Sequence, residues 1–234
     1  MLTLDGLTVR YPGESRPVLS GVSLTVQAGT AIGVHAPSGT GKTTLLKTAA
    51  LLLPAESGTV QLDGTTVRGT GYSVPRELRR KVGIVFQSPR ASTDNRLSLR
   101  QIIAAPLSHD RGRLRPRPAE HGGQIAKLAE RVQLSADLLD RLPHQVSDGQ
   151  LQRACLARAI ALDPLVLICD EPTAMLDAPT TAVIMRLLRE HAQSGAAVLM
   201  ASHDRALLDV TCDATSSVNE LASEISSTAD HLGP

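Results

Sequence analysis

A chain of 234 residues, 42% hydrophobic and 20% charged, is long enough for one good-sized domain with a buried core. Its formal net charge of +1 gives no electrostatic argument for nucleic acid as the main partner, and two Tyr, one Phe and no Trp give no platform for stacking bases. Cys155, Cys169 and Cys212 show no CxxC spacing, so neither a zinc site nor a disulfide framework is expected; buried, inert thiols in a reducing compartment fit better.

The opening "MLTLDGLTVRYPG" alternates apolar and polar residues and lacks the basic start and apolar run of a signal peptide. No apolar stretch approaches the roughly 18 residues that span a bilayer, so a soluble, cytoplasmic chain is expected. Residues 2–8 and 22–27 read as strands of period two. "TAIGVHA", 30–36, is a more continuous apolar run, as expected of a strand buried on both faces. A Gly-rich turn follows, then "KTTLLKTAALLL" at helical spacing. "GTVQLDG", bounded by Gly58 and Gly64, and "KVGIVFQ", 81–87, are further strands.

From Ser88 to Ala161 the character changes. "LSLRQIIAAPL" and "GQIAKLAERVQL" read as helices, separated by "SHDRGRLRPRPAEHGG", an exposed loop rich in Arg, Pro and Gly. "LVLICDE", 165–171, is an apolar strand ending in two acids. "TTAVIMRLLREHA" is a helix, "AAVLMAS" a strand, and "HDRALLD" begins another helix. The tail "NELASEISSTADHLGP" reads as a fraying surface helix. Strands alternating with helices imply an α/β fold with a mostly parallel sheet, into which the all-helical middle is inserted.

Two motifs carry chemistry. "APSGTGKTT", 36–44, lies between a strand and a helix, the context a P-loop requires. Gly39 and Gly41 let the loop, with Ala36, Pro37, Ser38, Thr40 and Thr44 as its other nucleotide-binding candidates, curl tightly so that its N–H groups point at phosphate oxygens. Lys42 would reach the β- and γ-phosphates and Thr43 would offer its hydroxyl to Mg²⁺. The first position of the usual G-x-x-x-x-G-K-[ST] pattern is Ala36, a small departure. The second motif is "LVLICDEP". Asp170 ends an apolar strand where a P-loop ATPase holds its Mg²⁺-binding acid, and Glu171 is placed to orient or deprotonate an attacking water. Both motifs follow strand C-termini, where ligands of parallel sheets gather.

With these residues in view, positions 2 to 218 resemble the ATP-binding subunit of an ABC transporter. Tyr11 resembles the aromatic residue that stacks on adenine; Ala36 to Thr43, with Thr44, resemble Walker A. Gln87 resembles the Q-loop glutamine, which implies a place near the metal and in catalysis. "VSDGQ", with Ser147, Asp148, Gly149 and Gln150, resembles the "LSGGQ" signature. Asp170 and Glu171 resemble the Walker B pair, Asp177 in "AMLD" the D-loop acid, and His203 in "MASHD" the switch histidine. The resemblance implies a single domain: a P-loop NTPase (RecA-like) core from 1–87 and 162–234, with N-terminal antiparallel strands, and a helical subdomain, 88–161, carrying the signature.

It also implies ATP and Mg²⁺ as ligands, and a second ATPase subunit, identical or paralogous, paired head to tail so that each signature meets the partner's ATP. Transmembrane permease subunits, a solute-binding protein and a peripheral place on the inner face of the membrane follow from the same resemblance. "FQSPRASTDNRLSLRQIIAAPL" is similar to the corresponding run of peptide and nickel importers, and the length after the last core strand suits shorter nickel or metallophore-type subunits. Asp148 stands where the signature has its first glycine; pointing to solvent, the expected orientation, it costs little, whereas pointing at phosphate it would repel the nucleotide. "RALLDVTCDATSSVNEL" departs from the family's apolar run and points to an altered core edge. A catalytically weakened partner in a heterodimer, and a soluble ABC ATPase outside transport, remain the alternatives.

Overall fold

The structure, a computed structural model, describes residues 1–35, 37, 39–174 and 176–222. Ala36 and Ser38 of the phosphate loop, Met175 of "AMLD" and the tail from residue 223 lie outside them.

Strands β1 (Leu2–Val9) and β2 (Leu19–Val26) precede β3 (Ala31–His35); β4 (Ser57–Leu62) and β5 (Thr65–Val67) follow it. An antiparallel sheet has the order β2-β1-β4-β5. In β1 the buried residues are Leu2 and Leu4, then Leu7 and Val9, so the period-two phase slips by one. The slip is made at Gly6, whose φ of 57° is open to glycine, and the register of β1 against both neighbours shifts there.

The second sheet contains β6 (Val82–Val85), β7 (Val166–Asp170), β8 (Ala197–Ser202) and β9 (Ala214–Ser217) in the order β6-β7-β8-β3-β9, every pair parallel. All of β7 and β8 is buried. Successive residues of β7 serve different cores, which is why the run is unbroken in the sequence. Leu167 and Cys169 join one cluster with the helices that follow β6 and β7. Val166 and Ile168 join a second with the antiparallel sheet and α1 (Lys42–Ala49).

Between β6 and β7 the described residues form no strand. The short α2 (Arg76–Arg79) precedes β6; α3 (Leu99–Asp110), α4 (Gly122–Arg131) and α5 (Asp148–Ala159) follow it and bury Leu99, Ile103, Ile125 and Leu151 together. Residues 108–123 are more ordered than the expected exposed loop. Ser108 is fully buried and its Oγ accepts from Arg117 N at 2.9 Å, His121 is buried at the end of a 3-10 turn, and Leu114 is the large apolar side chain left outside. After β7 come α6 (Ala178–Gln193) and, beyond β8, α7 (Arg205–Thr211). The atypical segment past His203 completes the sheet: β9 is short and polar, and Asp213 before it accepts from Ala31 N at 2.8 Å and from Arg189 at 3.0 Å. Small polar residues suit a strand at the edge of the described sheet.

Candidate functional site

Three adjacent strands bring the site together. His35 at the end of β3 pairs with Ser202 at the end of β8, and Asp170 at the end of β7 pairs with Ala201. The phosphate loop, Asp170–Glu171 and His203 therefore leave the same C-terminal edge.

Gly41 caps α1 with φ 93°, and a Cβ there would sit 2.8 Å from Leu19 Cδ2, so both backbone and packing require glycine. Thr40 Oγ1 and Lys42 Nζ donate to Pro37 O at 2.8 and 3.1 Å, holding the loop curled. No acidic residue occupies the first turn of α1, which leaves its positive end suited to an anion. The Tyr11 and Thr44 hydroxyls share a hydrogen bond of 3.1 Å, anchoring Tyr11 to the same helix.

Thr43 Oγ1 donates to Asp170 Oδ2 at 3.0 Å. Burial pushes the Asp170 carboxyl above its ordinary pKa; the Thr43 hydrogen bond opposes the shift, neighbouring Glu171 adds to it, and Lys47 and Lys42 pull the other way. A hydroxyl and one carboxylate side by side fit Mg²⁺, which takes one or two protein oxygens and completes its shell with waters and phosphate. Among the described residues no cluster of three ligating side chains offers a cage for a resident metal.

Glu171 is 7% exposed and has φ 47°, an uncommon left-handed conformation for a non-glycine residue. Its N–H donates to Ala201 O at 3.0 Å, tying the bend to β8. Its Oε2 accepts from His203 Nδ1 at 2.8 Å and from Ser202 Oγ at 3.4 Å. The rest of the His203 side chain is largely exposed.

The other predicted residues are placed as follows. Gln87 is exposed two residues beyond the end of β6, and no hydrogen bond joins it to Thr43 or Asp170. Asp177 caps α6, its Oδ1 accepting from Thr180 N at 2.8 Å, and that hydrogen bond holds its carboxyl below the usual range. Ser147 and Gln150 form a capping box at the start of α5: Ser147 Oγ accepts from Gln150 N, and Gln150 Oε1 accepts from Ser147 N. Ser147 keeps its hydroxyl proton for another acceptor. Asp148 is half exposed but does not point into open solvent as expected. Its Oδ1 lies 2.6 Å from Arg90 Nε, a charge-assisted contact between two half-exposed side chains. Gly149 faces the start of α6, where a Cβ would lie 2.8 Å from Thr180 Cγ2.

Two residues escaped the sequence reading. Buried Gln152 donates to Pro172 O at 2.8 Å, joining α5 to the turn just past Glu171. The signal was a second glutamine on the apolar face of "LQRACLARA". Arg90 was the other, and a lone arginine in a loop carries no pattern. A separate groove of about 890 Å³, lined by Arg76, Arg79, Arg80, Phe86, His109 and Arg158 among others, lies between α2, β6 and the C-terminal ends of α3 and α5 and holds none of the site carboxylates Asp170, Glu171, Asp177 and Asp148.

A family model described as ABC transporter matches residues 19–174. The chain is 38% identical over 215 residues to the methionine import ATP-binding protein MetN of Caulobacter vibrioides, covering 91% of this chain and 62% of that protein. It is 32% identical over 216 residues to a putative peptide import ATP-binding protein of Brucella ovis, covering 91% of this chain and 67% of that one. The chain thus spans about three fifths to two thirds of the length of these relatives. Among solved structures, the dimeric post-hydrolysis state of the ATP-binding cassette MJ0796, bound to ADP and Pi, superimposes with a TM-score of 0.76 at 27% identity, covering 88% of this chain and 90% of that one.

Proposed function

The chain belongs to the ABC transporter family, and from that premise we propose that it binds and hydrolyses ATP to power an importer. The observation that carries the proposal is the pair of hydrogen bonds at one sheet edge, Thr43–Asp170 and His203–Glu171. Lys42 and the loop N–H groups bind the β- and γ-phosphates, and Tyr11 supports the base. Thr43 and Asp170 would hold Mg²⁺, with Gln87 a further candidate from the loop after β6, and the ion would supply positive charge against the phosphates. Glu171 accepts a proton from the attacking water, and His203, positioned by Glu171, contacts the γ-phosphate.

Two ATPase subunits pair head to tail, and the start of α5, with Ser147, Gly149 and Gln150, closes over the partner's γ-phosphate; Asp177 lies at the same junction. Hydrolysis removes the bridging phosphate and the pair reopens. Residues 88–161 act as a helical subdomain that moves with the permease, and the 890 Å³ groove beside Phe86 is where a permease segment docks. The chain sits on the inner membrane face through that contact; no helix among the described residues is long and apolar enough to cross a membrane. The relatives' names support methionine or peptide as cargo, while the run from Phe86 to Leu107 also fits nickel or metal-chelate importers; a solute-binding protein would deliver the cargo.

Asp148 favours a second reading, a weakened partner in a heterodimer. Light scattering of the purified Glu171→Gln chain separates them. An ATP- and Mg²⁺-dependent dimer supports the proposal, an ATP-bound monomer supports the second reading, and absence of nucleotide binding overturns both.

A further inference from the structure

We propose that Arg90 is a positioning residue for the signature, acting with Asp148 as one unit; the inference rests on the reading just given. All three nitrogens of its guanidinium are used. Nε meets Asp148 Oδ1 at 2.6 Å, one terminal nitrogen donates to Pro143 O at 3.0 Å and the other to Val146 O at 3.2 Å. The two carbonyls lie in the turn that ends at Ser147, the N-cap of α5, and Asp148 is the first residue of that helix. Arg90 thereby sets the chain's entry into the helix whose N-terminus is to bind phosphate.

The loop bearing Arg90 is itself fastened further along α5. Arg158 donates to Ser92 O at 2.7 Å and to Ser92 Oγ at 3.4 Å, and within the loop Ala91 N donates to Ser88 Oγ at 3.3 Å. Residues 88–92, which directly follow Gln87, are thus clasped by the turn before α5 at one end and by its last turn at the other. A shift of this segment is transmitted to the signature as a unit.

The charge argument explains the pairing. Asp148 is the first residue of α5, where a carboxylate interacts favourably with the helix's positive end and so competes with an incoming phosphate. Arg90 neutralises it and draws it towards its own loop. Removing Arg90 leaves an uncompensated negative charge beside the anion site; removing both charges relieves it. The half-exposed ion pair contributes little to stability and the two carbonyl contacts contribute modestly, so the larger effect falls on closure over ATP. Lysine in place of Arg90 keeps the charge but cannot serve three acceptors in one plane.

The test compares wild type, Arg90→Ala, Arg90→Lys, Asp148→Gly and Arg90→Ala/Asp148→Gly in the full chain. Steady-state hydrolysis is measured, together with ATP-driven dimerisation of each in a Glu171→Gln background. Arg90→Ala is expected to lower kcat and dimerisation about tenfold, with affinity of the monomer for ATP unchanged and a small fall in melting temperature from the two lost carbonyl contacts. Arg90→Lys falls between, and the double variant returns to within about twofold of wild type. Arg90→Ala matching wild type overturns the inference alone. A double variant as impaired as Arg90→Ala overturns the role of Asp148 and reduces Arg90 to a scaffold for carbonyls. A wild type that neither hydrolyses ATP nor dimerises overturns the functional reading, and this inference with it.

Discussion

Gly149→Ala puts one methyl group into the contact between α5 and α6. The new Cβ would lie 2.8 Å from Thr180 Cγ2, closer than carbon atoms tolerate, while the next atoms, Thr180 Oγ1 and Cβ, are at 3.4 and 3.6 Å. Overpacking of this kind costs about 1–3 kcal/mol. Alanine gains at most about 1 kcal/mol in helix propensity, less in a first turn. The balance is a net loss of about 1 kcal/mol. Thr180→Ser removes the one offending methyl and leaves contacts at ordinary distance. Urea unfolding of the four chains of the cycle should show a favourable coupling of about 1–2 kcal/mol, with the double variant at least as stable as Thr180→Ser alone. ATP hydrolysis should stay low in the double variant, because the methyl still stands at the helix N-terminus that phosphate must approach. A Gly149→Ala chain as stable as wild type, or a coupling of zero, would refute the packing argument.

Asp170→Asn should raise the melting temperature of the nucleotide-free chain while abolishing hydrolysis. Burial raises the carboxyl's pKa in the folded state, so folding favours the proton, and that contribution is lost as pH rises through the folded pKa. The gain from asparagine should therefore be seen near neutral pH and fade on acidification, which melts across that range will check. Gln152→Leu removes the donor to Pro172 O and should cost about 1–2 kcal/mol in urea unfolding, with a further drop in hydrolysis as the turn after Glu171 loses its tether. The three cysteines are free and buried, burial raises each thiol's pKa, and Cys212 is pushed up to about 12. Ellman's reagent should leave all three untouched in the native chain and titrate all three after unfolding.

Much of the parallel sheet was legible because its strands are buried on both faces and so read as unbroken apolar runs ending in polar residues. β5 and β9 were not, since three or four residues, mostly small and polar, at a sheet edge show no period. The phosphate loop and the Asp170–Glu171 step were readable because phosphate and metal binding demand particular residues at fixed spacing. The partnerships that position them were not. Glu171 is held by His203 and Ser202 from the next strand, and Gln152 reaches Pro172 across 20 positions. Asp148 shows the limit most clearly: the sequence offers solvent or phosphate as its surroundings, whereas the carboxylate is taken by an arginine 58 positions earlier in the chain, at 2.6 Å. Only the fold brings that loop to the start of α5.

Phosphate release from Mg-ATP, measured over a range of protein concentration for wild type beside Glu171→Gln, tests the central claim most directly. Glu171 as the base in a site shared by two subunits predicts that specific activity rises with concentration in wild type and is lost by about 10²-fold or more in the variant. Turnover that is unchanged in Glu171→Gln would contradict it.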